Sequence, residues 1–319
     1  MRYALMSEPQ QGLSYEELLA LVRTAEESGF ESFLRSDHYT SFPGESGKPT
    51  TDAWATLAGL ARDTTRIMLG TLVSPVTFRP PGNFAKVVTT VSEMSGGRVE
   101  VGMGAGWNEA EHHQNGLAFP PTRERFDMLE EQLAIVHGLW TKSDGWSYNG
   151  RHWTVRDAKF HPKPMVPEGR RHPNLIVGGA GGPRMASLVA NYADELNISS
   201  ASPARVAEAY ARLDDACRAV GRDPADVTRS AMTGALVGET EDDVRGRVKD
   251  LLLMIGDTSG DPDAWLADRR DRWVIGTPDE ARSRVSEFEA AGAQRIMLQT
   301  FLPRDLEMVR LLGRIFLRQ

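Results

Sequence analysis

The side chains of this chain that could do chemistry cluster just beyond short apolar runs. Ser36-Asp37-His38 follows one such run, and a histidine placed there can give or take a proton near neutral pH while a neighbouring carboxylate fixes its tautomer. The same residues would also suit a turn in which Asp37 caps and His38 fills the rim. Residues 97–115, GRVEVGMGAGWNEAEHHQN, pass from a strand-like stretch into alternating glycines and then a polar, aromatic segment. Gly102, Gly104 and Gly106 lack a Cβ, which lets a flat ligand approach the backbone, although a tight bend would use the same glycines. A third stretch, Val177-Gly178-Gly179-Ala180-Gly181-Gly182-Pro183-Arg184, leads into a helical pattern, and its N–H groups and helix dipole suit a phosphate. It is neither a Walker A sequence nor a full dinucleotide fingerprint, and a flexible turn with Arg184 in solvent is its other use. Glu109, Glu111, His112 and His113 match no zinc motif, because adjacent histidines on a helix point about 100° apart. They read as a solvated face. No serine lies in a nucleophile-elbow context, which argues against a hydrolase triad.

Holding these groups together is the task of a regular alternation. Strands are predicted at Arg2–Ser7, Ser32–Ser36, Ile67–Val73, Val99–Gly104, Leu175–Gly178, Glu195–Ser199, Ser230–Val237 and Arg295–Thr300. Amphipathic helices are predicted at Tyr15–Ser28, Asp52–Ala61, Pro81–Met94, Thr122–Leu139, Pro183–Tyr192, Pro203–Val220, Glu241–Met254, Pro278–Ala291 and Asp305–Leu317. Ser14 with Glu17 reads as a capping box, and Thr277-Pro278 and Ser202-Pro203 each set a cap residue before a proline at the first helical position. Eight strand–helix units predict an α/β protein, a (β/α)8 TIM barrel spanning 1–319 as one domain. Excursions are expected at about 106–120, 146–173 and 257–273. Asn149-Gly150 between aromatic flanks predicts a hairpin over Trp146–Val155. The Asp/Arg-rich excursion at 257–273 is expected to fold near the mouth and set substrate selectivity. In such a barrel the site lies at the C-terminal strand ends, where all three stretches above fall.

Composition narrows the function further. With 319 residues, 40% hydrophobic and 25% charged, the chain can bury a large core and has no bias toward disorder. A net charge of -7 without a basic, aromatic-interleaved patch argues against a nucleic-acid partner, and no run is apolar enough to span a bilayer. Cys217 is the only cysteine, so no intrachain disulfide or cysteine metal cage can form. MRYALMSEP enters a strand with no signal-peptide core, and a cytoplasmic protein that acts on a small molecule without a metal is expected.

Taken as a set, Ser36-Asp37-His38, LGTLVSPVTFRPP at 69–81, the long segment at 95–140, the SYNGRHW hairpin and the IVGGAGG turn resemble the bacterial luciferase-like superfamily, specifically its coenzyme F420-dependent oxidoreductases. The resemblance covers essentially the whole chain. It implies a barrel whose mouth holds F420, or alternatively FMN, over the third and fourth strand ends, with a non-prolyl cis peptide at about Leu72-Val73 behind the ring. Ser36, Thr71, Leu72, Val73, Gly104, Ala105, Gly106 and Asn108 would then face the cofactor. Gly178, Gly179, Ala180, Gly181, Gly182 and Arg184 would receive its phosphate, with Arg79 or Lys86 as further counter-charges to an anionic tail. His38 would exchange the proton, Asp37 would orient it, Glu109 would assist, and Tyr39 and Trp107 would meet the substrate. The implied activity is hydride transfer between F420 and a small organic substrate. An FMN-dependent monooxygenase fed by a separate reductase, or a non-catalytic flavin binder, are the alternatives. A homodimer is also implied. Trp107 stands where the family's sugar-phosphate dehydrogenases would carry an acid, so glucose 6-phosphate is not the expected substrate.

Overall fold

In a computed structural model that describes residues 1–44, 47–257 and 261–317, every predicted strand forms within two residues of its expected bounds. The strands are β1 (Arg2–Ser7), β2 (Ser32–Arg35), β3 (Met68–Pro75), β4 (Val99–Gly104), β5 (Trp146–Asn149), β6 (Thr154–Ala158), β7 (Asn174–Gly179), β8 (Glu195–Ser199), β9 (Thr228–Val237), β10 (Val274–Gly276) and β11 (Arg295–Thr300). The helices are α1 (Tyr15–Ser28), α2 (Ala53–Asp63), α3 (Pro81–Ser95), α4 (Glu109–Gln114), α5 (Thr122–Thr141), α6 (Pro183–Tyr192), α7 (Pro203–Ala219), α8 (Glu241–Met254), α9 (Pro262–Arg269), α10 (Pro278–Ala290) and α11 (Leu306–Phe316). Ser14 and Glu17 make the expected capping box, and Thr277 makes another with Glu280. Ser202 sits at the N-cap of α7 but forms no side-chain cap.

β1, β2, β3, β4, β7, β8, β9 and β11 pair in parallel, each with the next, and β11 returns to β1 with Arg2 opposite Arg295 and Ser7 opposite Thr300. That closure makes the (β/α)8 barrel. Side chains alternate about the sheet as strand geometry requires. Leu5, Phe33, Leu69 and Leu298 pack outward against the helices, whereas Ala4, Met6, Leu34, Leu72, Ile176 and Met297 fill the lumen. Among the described residues no helix is long and apolar enough to cross a membrane.

The N-terminal end of the lumen is closed by charge. Arg295, 0% exposed, pairs with Glu31 (2.7 Å), Glu100 (2.7 Å) and Glu195 (3.0 Å), and donates to Ser32 Oγ (2.6 Å). Asn174 Nδ2 donates to Glu195 and Glu100, so most of the carboxylate acceptors are used. Burial pulls the Arg295 guanidinium down, but Glu100, Glu195 and Glu31 together raise it above its usual value. Burial likewise pushes Glu100 up, and the charge and hydrogen bonds of Arg295 outweigh that and hold it below the usual carboxylate range.

The excursions differ from expectation in part. The Asn149-Gly150 hairpin forms, with β5 antiparallel to β6, and Glu131 of α5 accepts from the backbone N–H groups of Arg151, His152 and Trp153. It therefore lies against α5, and none of its residues lines the cavity described below. Residues 258–260 of the third excursion lie outside the described residues, but its remainder is ordered structure. α9 follows, and β10 pairs in parallel with the last turn-ward residues of β9, Val274 opposite Ala235. The excursion reaches the mouth through aromatics: Trp265 packs edge-on against Trp273, which stacks on Phe301 at 4.9 Å. Its Arg and Asp side chains pair partly with one another, as Arg272 does with Asp268, and partly with the neighbouring helices, as Asp263 does with Arg245 and Arg270 with Glu280.

Candidate active site

A cavity of about 700 Å³ opens at the C-terminal ends of the barrel strands. Met6, Leu72, Met232, Ser36, Ser199 and Gln299 reach it from six strands or the residues just beyond them, and Gly104 and Gly178 stand at the matching positions of β4 and β7. Between Thr71 and Ser74 the pairing of β3 with β4 shifts register, and the Leu72-Val73 peptide is cis. Val73 then fills the space over the two glycines. A Cβ on Gly104 would lie 2.6 Å from Val73 Cγ2, and one on Gly178 would lie 2.7 Å from Val73 Cγ1. These glycines thus admit the β3 bulge before they admit any ligand. Gly104→Ala is expected to displace Val73, lower stability by about 1–3 kcal/mol and weaken ligand binding in the cavity; urea unfolding and a binding titration on the same preparation check both.

His38 lines the cavity from the loop after β2, and its Nδ1 lies 2.8 Å from Glu111 Oε2. Glu111 is 1% exposed and its other oxygen accepts from the backbone N–H groups of Tyr39 and Thr40, the latter at 3.0 Å. With the carboxylate as acceptor, the hydrogen sits on Nδ1, and Nε2 is the nitrogen able to take up or release a proton. This corrects the expected pairing. Asp37, one residue away, points to the opposite side of the chain, where its carboxylate takes Arg79 at 2.6 and 3.2 Å and Ser74 Oγ at 2.6 Å. Glu111 was expected on a solvated face with Glu109, His112 and His113. Instead Asn108 caps α4 and turns Glu111 and His112 inward, where His112 Nε2 meets Thr77 Oγ1 at 2.6 Å.

Asp37 anchors rather than orients. Arg79 joins it to Asp52 (2.5 Å), Tyr39 donates to Asp52 (3.0 Å), and Trp54 Nε1 donates to Ser74 Oγ (3.0 Å), so the loop after β2 and the β3 bulge share one buried network. Burial pulls the Arg79 guanidinium down, and Asp37 together with Asp52 and Tyr39 more than offsets it. Burial also raises the Tyr39 phenol, opposed by Arg79 and reinforced by Asp37 and Asp52. Beneath them Arg35 is fully buried on hydroxyl and carbonyl oxygens, and burial lowers it to about 10 despite Asp37, Asp52 and Glu8 nearby.

Several other expected contacts also move. Tyr39 stacks on Phe78 and does not line the cavity, because its hydroxyl is tied to Asp52. Glu109 is exposed on the outer face of α4, 4.0 Å from the equally exposed His113. Asn108 spends its side chain on the α4 cap, and Thr71, 0% exposed, donates to Gly102 O within the sheet. Arg184 is held by Asp127 and the Arg123 carbonyl, Lys86 donates to the His161 carbonyl, and neither lines the cavity. Gly181 packs against Ala209 and Ile198 behind the turn. Ser36, Leu72, Val73, Gly104, Ala105, Gly106, Trp107, Gly178, Gly179, Ala180 and Gly182 line the cavity. Glu8 and Gln299, at strand ends where the site was sought, meet in the cavity: Glu8 accepts from Gln10 (2.6 Å) and Gln299 (2.5 Å); Phe42 and Phe301, which no sequence signal marked, also line it.

The family model described as luciferase-like monooxygenase matches residues 2–295. The chain belongs to the luciferase-like monooxygenase family. An uncharacterized protein of Mycobacterium tuberculosis is 32% identical over 219 residues, 64% of this chain and 74% of that protein. The F420-dependent glucose-6-phosphate dehydrogenase of Microbacterium testaceum is 34% identical over 218 residues, 66% of this chain and 61% of that enzyme. The solved structure of an F420-dependent secondary alcohol dehydrogenase in complex with an F420-acetone adduct shares the luciferase-like fold at a TM-score of 0.82, with 19% identity across 99% of this chain and 98% of that one. The site of this chain carries the His38–Glu111 pair and an exposed tryptophan, Trp107, at its rim.

Proposed function

We propose that this protein is an F420-dependent oxidoreductase that moves a hydride between F420 and a small organic substrate. The observation that carries the reading is a histidine with its Nδ1 fixed by a buried carboxylate, set in the wall of a large cavity at the catalytic end of a luciferase-like barrel. Names of similar proteins support F420 over FMN.

The residues at the mouth suit such a group. Gly182 stands at the N-cap of α6 with no side-chain cap and open space around its Cβ position, so first-turn N–H groups are free to take a phosphate. Arg212 Nε donates to Gly181 O (3.1 Å) and holds that turn from behind. Gln299 Oε1 is buried with no hydrogen-bond partner among the described residues, an acceptor suited to a ring N–H or a hydroxyl. Val73, Gly104, Ala105 and Gly106 would carry the ring, and Gly179, Ala180 and Gly182 the phosphate. When bound, F420 supplies a carbon centre that accepts or gives up a hydride.

The chain's own contribution is to the proton and to position. During oxidation of an alcohol, His38 Nε2 takes the hydroxyl proton as the carbonyl forms; during reduction it returns that proton to the carbonyl oxygen. Glu111 holds the ring in the competent tautomer and stabilises the imidazolium. Equilibrium titration of the purified protein with F420 and with FMN, followed by fluorescence, tests the cofactor. F420 is expected to bind at least tenfold more tightly, about 1.4 kcal/mol; preferred FMN binding would redirect the reading to oxygen-dependent chemistry.

A further inference from the structure

We infer that the substrate of this site is electrically neutral and that its oxygen-bearing carbon is presented to His38 beside the rings of Phe42 and Trp107, with Trp107 selecting it. This rests on the oxidoreductase reading above. Among the described residues no lysine or arginine lines the cavity, and its one carboxylate, Glu8, is held by neutral amides. Cations around the mouth are engaged elsewhere: Arg79 with Asp37 and Asp52, Arg125 with the Ala105 and Pro120 carbonyls and Thr122 Oγ1, Arg184 with Asp127, and Lys48 with Gln11 and the Met254 carbonyl. A phosphorylated substrate would lose its hydration beside Glu8 with no cation in return, which is strongly unfavourable. The backbone turn at Gly179–Gly182 is one anion seat, and the cofactor reading already fills it.

What the wall offers instead is aromatic surface. Trp107 is 64% exposed, although Phe42 meets it edge-on at 5.1 Å and His38 at 5.9 Å. Phe42 in turn packs edge-on against His38 at 4.4 Å, and its loop is fixed by Gln11, which donates to the Phe42 carbonyl. Elsewhere in the cavity wall, beyond the end of β11, Phe301 is held parallel to Trp273, 3° apart. A large apolar face left open beside the proton-handling nitrogen, with a second rigid ring in the same cavity wall, suits a hydroxyl or carbonyl compound with an apolar body.

Isothermal calorimetry on the F420-loaded protein tests this with cyclohexanol and glucose 6-phosphate as probes. Saturable heat is expected for cyclohexanol and none for glucose 6-phosphate. Trp107→Ala should weaken cyclohexanol roughly tenfold without moving F420 affinity or thermal stability, and Trp107→Phe should restore most of the loss. Binding of glucose 6-phosphate as tight as cyclohexanol, absent cyclohexanol binding, or an indifferent Trp107→Ala would each overturn the inference. Failure to load F420 shows separately in the cofactor titration and overturns the reading on which this one stands.

Discussion

His38→Ala is expected to lower turnover with F420 by about 10²–10⁴-fold while F420 affinity changes by no more than a few fold. His38 is the single cavity-lining side chain among the described residues whose ring nitrogen is fixed by a buried carboxylate, and the anion seat and glycine bed lie elsewhere on the rim. Glu111→Gln sharpens the test. An amide can turn its NH₂ toward Nδ1, which places the histidine hydrogen on Nε2 and removes its capacity to accept a proton. Alcohol oxidation and carbonyl reduction should therefore fall together, and adding His38→Ala to this variant should cost little more, a non-additivity that mere loosening of the loop would not produce. If His38→Ala turns over within about threefold of the parent, where a proton-transfer group should cost far more, the histidine is a rim residue and the proton moves by another route.

The second large effect lies at the other end of the barrel. Arg295→Met should destabilise the protein by about 3–5 kcal/mol, because removing one partner leaves buried carboxylates without compensation. Their side chains are 4% and 1% exposed at Glu100 and Glu195, so water cannot take the place of the cation. The pH dependence carries a sign. In the parent, Glu100 is held below its usual range, so its contribution is complete above the ordinary carboxylate range and is lost only as acid titrates the folded state. In the variant Glu100 binds a proton more readily when folded than when unfolded, and folding gains from acid. The difference between the two proteins should thus be largest near about pH 7 and shrink toward about pH 5, as read by urea unfolding. A gap that is constant across that interval would mean that lost packing, not charge, is what the arginine supplies.

The barrel was legible because strand and helix periods differ and each unit carried both. Leu5, Phe33 and Leu298 alternate with lumen residues at a spacing of two, and α1 with its capping box and α6 with Pro183 at its first position have the bounds that their apolar stripes predict. α9 was not, since its eight residues hold Asp and Arg around Trp265 and Leu266, and its packing depends on Trp273, which lies past its end. The site was legible by position but not by partnership. His38 could be found because it follows a strand; Glu111 could not, because a carboxylate on a short polar helix looks solvated until the cap at Asn108 sets its face. The one available signal was the spacing of Asn108 to Glu111, which suits an N-cap and points the third residue inward. The glycines at 104 and 178 were seen for the right place and the wrong neighbour, as Val73, not a ligand alone, occupies the space they leave.

The histidine and its carboxylate lie 73 residues apart and arrive on different βα units, the second and the fourth. Chimeras of related barrels are usually built by exchanging contiguous units, and any crossover between residues 40 and 110 would pair one parent's histidine loop with the other's helix. For this barrel the heritable module of proton transfer is therefore the pair of units together with the strand between them, and a library that keeps residues 36–114 as one block should retain activity where finer shuffling loses it.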